Sequence, residues 1–345
     1  MKVKLVYKKM TGMLIIPVIL LCSCQTMYYL PGDKFEPVRI NEMFSFGSRG
    51  TGPGKFELID AIVTDKDGNI YIGDKQGFIH KFSPDGKFMN KIGSQGTGRG
   101  QFYDEVKGIA IDSRGRIIAA DEFNNRINIF DSEGKFETSF GKKGFGNGEF
   151  MDPSGVAVDS DDNIYIVDSK TMYIQKFSKD LTFIKKFGGP SGRYYADMTF
   201  MDEKVYGSEE GKFNKTESIA CINGLIYAAD EGNSRIQVFD LNGSFIRTIG
   251  GSGIGKGNFF DEVEGISSDA DGNIYAVNES KGKWGSINVY DKDYNPVLQF
   301  QPNSYMVSPD GMRVDNVLKR IYVVDQGNWK VRVFDLEKVK ARFVK

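Results

Sequence analysis

The chain has 345 residues, 45 basic and 46 acidic, with 41 Gly, 10 Pro, 3 Cys and a single His. Charge this balanced gives no basic surplus for nucleic acid, and sparse Pro with 13% aromatic residues excludes collagen-like and disordered chains. One His also excludes a multi-histidine metal centre.

In chain order, Lys2, Lys4, Lys8 and Lys9 precede an apolar run from Met13 to Leu21 that is too short to stay as a membrane-spanning helix; this predicts an export signal over residues 1–23. The run ends in Leu21-Cys22-Ser23-Cys24, which resembles the lipobox of bacterial lipoproteins. The resemblance implies a lipidated Cys24, with Cys22 disfavoured because Leu21 stands where a small residue is preferred. Residues 24–37 then form a lipid-anchored tether, and Gln25 after the lipidated cysteine points, by the enterobacterial sorting habit, to the outer membrane. Losing four lysines leaves 41 basic against 46 acidic residues, a net of −5, which speaks further against nucleic acid. With Cys24 acylated, Cys221 has nothing to pair with.

From residue 38 onward a unit of about 47 residues recurs, most clearly as GSQGTGRGQF…GIAIDSRGRIIAADEFNNRINIFDSEGKFETSFG. The acid closing its second apolar run returns as Asp74, Asp121, Asp168, Asp230 and Asp325, with Asn278 in the fifth copy, at spacings of 47, 47, 62, 48 and 47. The long spacing places an insertion near 189–212 and leaves no room for a seventh unit. Each copy predicts four strands, which in the second lie near residues 108–112, 116–121, 126–131 and 136–140. Turns such as DKDGN and DSRGR join the first pair, and SPDGK and DSEGK the last. One four-stranded sheet cannot cover its own apolar faces, so neighbouring copies must, and closing the ring leaves no long edge.

The recurring G-x-G-x-F, G-V-A-V-D and I-Y-V-D-x-x-N-x-R-I-x-V-F-D pattern resembles the NHL repeat over residues 46–334. The resemblance implies an all-β fold: a six-bladed β-propeller of four-stranded antiparallel blades over residues 38–345. The D-x-x-N-x-R/K signature is complete only in DEFNNR, DEGNSR and DQGNWK. Residues 38–47 read as a fourth strand without its own first three, while the last copy lacks a fourth and ends in LEKVKARFVK. The family's habit implies that the N-terminal strand closes the last blade.

Most apparent chemical motifs read as structure. The recurrent Asp predicts a carboxylate that accepts loop N–H groups, not a ring of metal ligands. DKDGN and DADGN open like calcium loops but lack the late Glu, so they are hairpin turns. GSRGTGPG, GSQGTGRG, GKKGFGNG and GGSGIGKG lack a GK[ST] ending and lead into strands, so they are connectors. A Ser-His-Asp site could run only through His80 in FIHKF, and no GxSxG elbow occurs.

Two surfaces remain. The loops between the second and third strands share one side with the connectors between copies, and they carry Phe78, Phe123, Met172, Tyr173, Trp284 and Trp329, with Arg193, Tyr194 and Tyr195 in the insertion. At the entrance of the axial channel the starts of the first strands align Asp60, Lys107, Ser154, Thr216 and Glu264, with Glu217 one step along and Asp310 in the last copy. The expected function is a monomeric cell-envelope lipoprotein that binds a protein, peptide or glycan through the loop face, without a cofactor. The other reading, drawn from other six-bladed propellers, is a metal-assisted lactonase- or lyase-like hydrolase holding a divalent cation such as calcium on Asp60, Glu217, Glu264 and Asp310.

Overall fold

The structure, a computed structural model, describes residues 37–191, 206–253, 255–279 and 285–343. The export signal, Cys24, the tether through Glu36, and Arg193, Tyr194, Tyr195 and Trp284 lie outside the described residues.

Six sheets follow one another along the chain, each an antiparallel meander of strands a to d. Blade 1 is Ile59–Thr64, Ile70–Asp74, Phe78–Phe82 and Phe88–Ile92; blade 2 is Val106–Ile111, Ile117–Asp121, Arg126–Phe130 and Phe136–Phe140. Blade 3 is Pro153–Val158, Ile164–Asp168, Tyr173–Phe177 and Phe183–Gly188; blade 4 is Ile219–Ile222, Leu225–Asp230, Arg235–Asp240 and Phe245–Ile249. Blade 5 is Glu262–Ser268, Ile274–Glu279, Ser286–Tyr290 and Pro296–Gln301; blade 6 is Pro309–Asp315, Arg320–Asp325 and Lys330–Asp335. In blades 1 to 3 strand b is buried along its whole length, because a blade packs on each of its faces. A strand covered on both sides reads as a continuous apolar run and not as an alternation.

The core therefore lies between sheets. Ala61, Val63, Tyr71 and Ile79 of blade 1 meet Ile109, Ile117, Ala119 and Phe130 of blade 2 in one cluster, and the arrangement repeats around the ring. Each fully buried large apolar side chain contributes about 2 kcal/mol before the entropy of ordering it. The Phe of G-x-G-x-F anchors the connectors into blades 1, 2, 3 and 5: Phe56, Phe102, Phe150 and Phe259 are completely buried, as is Phe213 at the end of the insertion, while Met306 is buried before blade 6. Two glycines show why the connectors and inner strands need that residue. Gly93 has φ +78°, and a Cβ there would run into the Phe102 ring; on Gly311 of blade 6 a Cβ would overlap the carbonyl oxygen of Asp60 in blade 1.

Blade 6 takes its outer strand from the N-terminus: Phe44–Phe46 runs antiparallel to Lys330–Asp335, with Ser45 opposite Arg332. The preceding residues depart from the expected single strand. Val38–Arg39 instead adds a fifth, parallel strand to blade 5, with Val38 opposite Phe300, and Arg39 donates to the Pro302 carbonyl at 2.8 Å. Ile40 then turns into the core cluster shared by blades 5 and 6, which separates the two strand segments. The C-terminal residues that match no strand form a short helix, Leu336–Lys340; Asp335 caps it by accepting from Lys338 N, and Leu336 and Val339 are buried. No helix among the described residues is long and apolar enough to cross a membrane.

Candidate functional site

The acid ending strand b ties three segments together. Asp121 accepts from Asn124 Nδ2 at 2.9 Å, from Arg126 Nε at 2.8 Å and from Tyr103 N of the incoming connector at 3.4 Å. Asp230 repeats this with Asn233, Arg235 and Asn214 N. In blade 6 the guanidinium bound to Asp325 belongs to Arg332, at 2.6 Å, and not to Lys330 of DQGNWK. In blade 1 His80 takes the matching place: its Nε2 lies 3.0 Å from Asp74 Oδ2, fully buried beside the rings of Phe56 and Phe78. These groups hold loops, and His80 stands away from the channel.

The inner strands enclose an axial channel of about 470 Å³, and Asp60, Lys107, Glu217, Glu264 and Asp310 all line it. Ser154 and Thr216, expected beside them, are buried, with hydroxyl oxygens that have no hydrogen-bond partner among the described residues. Lys107 Nζ sits between Asp60 Oδ2 at 3.0 Å and Glu217 Oε2 at 3.2 Å, with Glu105 Oε2 at 3.9 Å. Gln326 donates to Asp60 and, at 3.3 Å, to Asp310. Asp60, Glu217, Glu264 and Asp310 thus share one channel wall, with Lys107 between Asp60 and Glu217. The carboxylates that do converge are Glu231, Glu262 and Glu264, whose nearest oxygens lie within 4.8 Å of one another. Lys215 borders this trio, 2.5 Å from Glu231 and 3.9 Å from Glu262.

Seven carboxyl groups thus share two ammonium groups, and the surplus is met by protons. Burial opposes ionisation of Asp60, but the Lys107 charge and hydrogen bonds outweigh it and bring the carboxyl down to about 2. Burial and the hydrogen bond to Asp60 push Glu105 up to about 10. Burial and the Glu217 charge push Glu231 up to about 8, and burial with neighbouring acids holds Glu264 and Asp310 well above the carboxylate range. At neutral pH the mouth combines protonated carboxyls with the ion pairs of Lys107 and Lys215.

The surrounding face is the loop-rich one. Among the described residues the exposed large aromatics are Tyr103, Phe123, Phe145, Tyr206 and Tyr305, and all five sit on connectors or b–c loops of this side. Tyr103 and Phe123, each about half exposed, pair with centroids 6.3 Å apart. Other expected aromatics serve the scaffold. Trp329 donates its indole N–H to Glu57 O at 2.9 Å under the Arg49 guanidinium, linking blade 6 to the connector before blade 1. Tyr173 and Phe78 lie beneath Lys186 and Lys91, and Met172 is completely buried rather than displayed.

Comparison with known proteins follows this geometry. The family described as a 6-bladed beta-propeller, DUF5128, matches residues 104–187. The chain is a six-bladed β-propeller. A 63-residue stretch of the propeller is 36% identical to the RING finger protein nhl-1 of Caenorhabditis elegans, covering 18% of this chain and only 6% of that protein. A solved protein of unknown function from Bacteroides thetaiotaomicron superposes with TM-score 0.59 at 14% identity over 84% of this chain and 74% of its own. A catalytically inactive virginiamycin B lyase from Staphylococcus aureus, solved with quinupristin, superposes with TM-score 0.55 at 12% identity over 86% and 98%. At such identities these likenesses establish the fold alone.

Several groups that shape the propeller's mouth escape alignment on strand a. Glu105 lies just before it and Glu262 at its first residue, in the matching FYDEVKG and FFDEVEG of copies two and five, and Glu231 follows the strand-b acid as Glu122 does in copy two. Those two local repeats are the signal that finds them. Gln326 follows the strand-b acid Asp325 in the same way, whereas Lys215 has no such signal, because only the closed ring brings it to the mouth.

Proposed function

We propose that this propeller is a non-catalytic binding module of the cell envelope that takes a protein or peptide partner bearing basic side chains on its loop-rich face. The observation that carries the reading is the placement of all five exposed aromatics on the side where seven carboxyl groups surround the channel mouth. Aromatic anchors supply contact area, and a mouth with more acids than lysines adds a preference for basic groups. A glycan, which could stack on Tyr103 and Phe123, gains less from the acids. Attachment to the envelope rests on the sequence around Cys24; metabolic labelling with a fatty-acid analogue, lost in Cys24→Ser, tests that part.

Binding is tested by fluorescence anisotropy with labelled Lys- and Arg-containing peptides against acidic ones of equal length. Basic peptides bind selectively, and Tyr103→Ala with Phe123→Ala weakens them about tenfold, as expected when aromatic anchors worth about 1–2 kcal/mol are removed. Equal binding of both peptide classes, or no effect of the double variant, contradicts the proposal.

A second reading is favoured by one observation: Glu231 Oε1 is buried without a hydrogen-bond partner in the trio with Glu262 and Glu264. A divalent cation there would displace the Lys215 ammonium and support metal-assisted chemistry. Elemental analysis after dialysis against calcium decides it, since a stoichiometric ion lost in Glu231→Gln is required.

A further inference from the structure

Arg313 stands apart from the other arginines whose heads enter the protein. Arg126, Arg235 and Arg332 each pair with a strand-b acid and fill their remaining donors with carbonyl or side-chain oxygens. Arg313 lines the channel near the end of strand a in blade 6, and its only hydrogen bond to a described residue is from Nε to Thr64 Oγ1 of blade 1, at a long 3.4 Å. No carboxylate among the described residues lies within ion-pairing distance of it. The nearest acid electrostatically is Asp315, whose Oδ1 accepts from the N–H groups of Val317 and Leu318 and whose Oδ2 is buried with no hydrogen-bond partner among the described residues, beyond ion-pairing distance of Arg313. Asp269, also on the channel wall, has both oxygens taken by Asn273, Tyr275 and the turn. Desolvation by the enclosing wall lowers the Arg313 pKa from its ordinary value, yet a guanidinium stays charged at any physiological pH. The chain thus keeps a cation on the channel wall whose Nη donors have no hydrogen-bond partner among the described residues.

The surroundings suit an anion. Thr64 and Ser267 bring hydroxyls to the same stretch of channel; each accepts a bond, from Arg313 and from Val314 N, and retains its own O–H to donate. Cys221 on the opposite wall is uncharged at neutral pH, because burial pushes its thiol up to about 11. Three residues of extended strand, roughly 10 Å, separate Arg313 from Asp310 at the acidic mouth. We propose that Arg313 forms an anion-binding site inside the channel, at the end away from the acidic mouth, which takes the carboxylate or phosphate group of a small ligand. The fork of Nη donors receives two oxygens, and the Thr64 and Ser267 hydroxyls supply the flanking bonds. This site is independent of the partner face.

The test titrates the full chain with acetate and, separately, with inorganic phosphate in low-chloride buffer, reading thermal shift and isothermal calorimetry at constant ionic strength. A saturable response to acetate identifies a carboxylate ligand, and one to phosphate a phosphate ligand. Binding falls at least tenfold in Arg313→Gln and by a smaller factor in Thr64→Val, with unchanged circular dichroism. If Arg313→Gln does not fold, Arg313→Lys, which keeps the charge and loses the fork, takes its place and also binds more weakly. No saturable response in the wild type overturns the proposal, as does a response that persists undiminished in the Arg313 variant.

Discussion

Lys107 of blade 2 reaches across to blade 1 and places its ammonium 3.0 Å from the Asp60 carboxylate, joining two inner strands at the channel mouth. Lys107→Met removes the cation and leaves a buried acid beside other acids. The expected loss is about 3 kcal/mol, the usual cost of stranding one member of a buried pair. Adding Asp60→Asn recovers much of it, so a double-mutant cycle by urea unfolding at pH 7 shows strong coupling.

The protonated mouth makes stability depend on pH in an unusual sense. Glu105 and Glu231 titrate near 4.5 in the unfolded chain but near 10 and 8 in the folded one. Between pH 4.5 and 8 the folded state binds more protons than the unfolded state, so these groups make stability fall as pH rises. Asp60, depressed to about 2, acts in the opposite sense, and its contribution is lost as pH falls from 3.8 towards 2. Denaturant midpoints at pH 5, 6.5 and 8 should decline, and the Glu105→Gln/Glu231→Gln chain should show a flatter slope. A slope identical to wild type is the contrary result.

The N-terminal clasp depends on one ring. Phe46 lies 4.9 Å from Phe82 and covers Gly86 of blade 1 while its strand completes blade 6. Phe46→Ala costs about 2 kcal/mol, less than for a fully buried ring. Hydrogen exchange should then rise first along Lys330–Asp335, before the other blades respond.

Gly311→Ala tests the closeness of the inner strands. Its methyl group overlaps the Asp60 carbonyl, which is backbone and cannot rotate away. Overpacking of this kind costs about 3 kcal/mol. A thermal midpoint within a degree of wild type contradicts the contact.

The blade count and the closing strand were legible because their signals are periodic: the Asp74-to-Asp325 ladder and the fully buried Phe of the first five connectors repeat with the fold. The role of His80 was not, since the sequence offers one histidine where the other blades use Asn128, Gln175, Gln237, Asn288 and Arg332, and only superposed strands reveal the shared position. The mouth was half legible. Asp60, Lys107, Glu217, Glu264 and Asp310 do line the channel, but which acids converge depends on the angle between blades, which no spacing encodes. Met172 and Trp329 looked like display residues because a loop position does not say whether the side chain turns inward.

The two-residue parallel strand at Val38–Arg39 also has a mechanical meaning. Any tension arriving from the upstream chain is delivered first to the outer edge of blade 5, through the Val38–Phe300 and Arg39–Gln301 pairing and the Arg39 contact with Pro302. That short ladder must tear before load reaches the strand that locks blade 6. A sacrificial link of this kind lets the chain before Val38 be pulled without opening the ring.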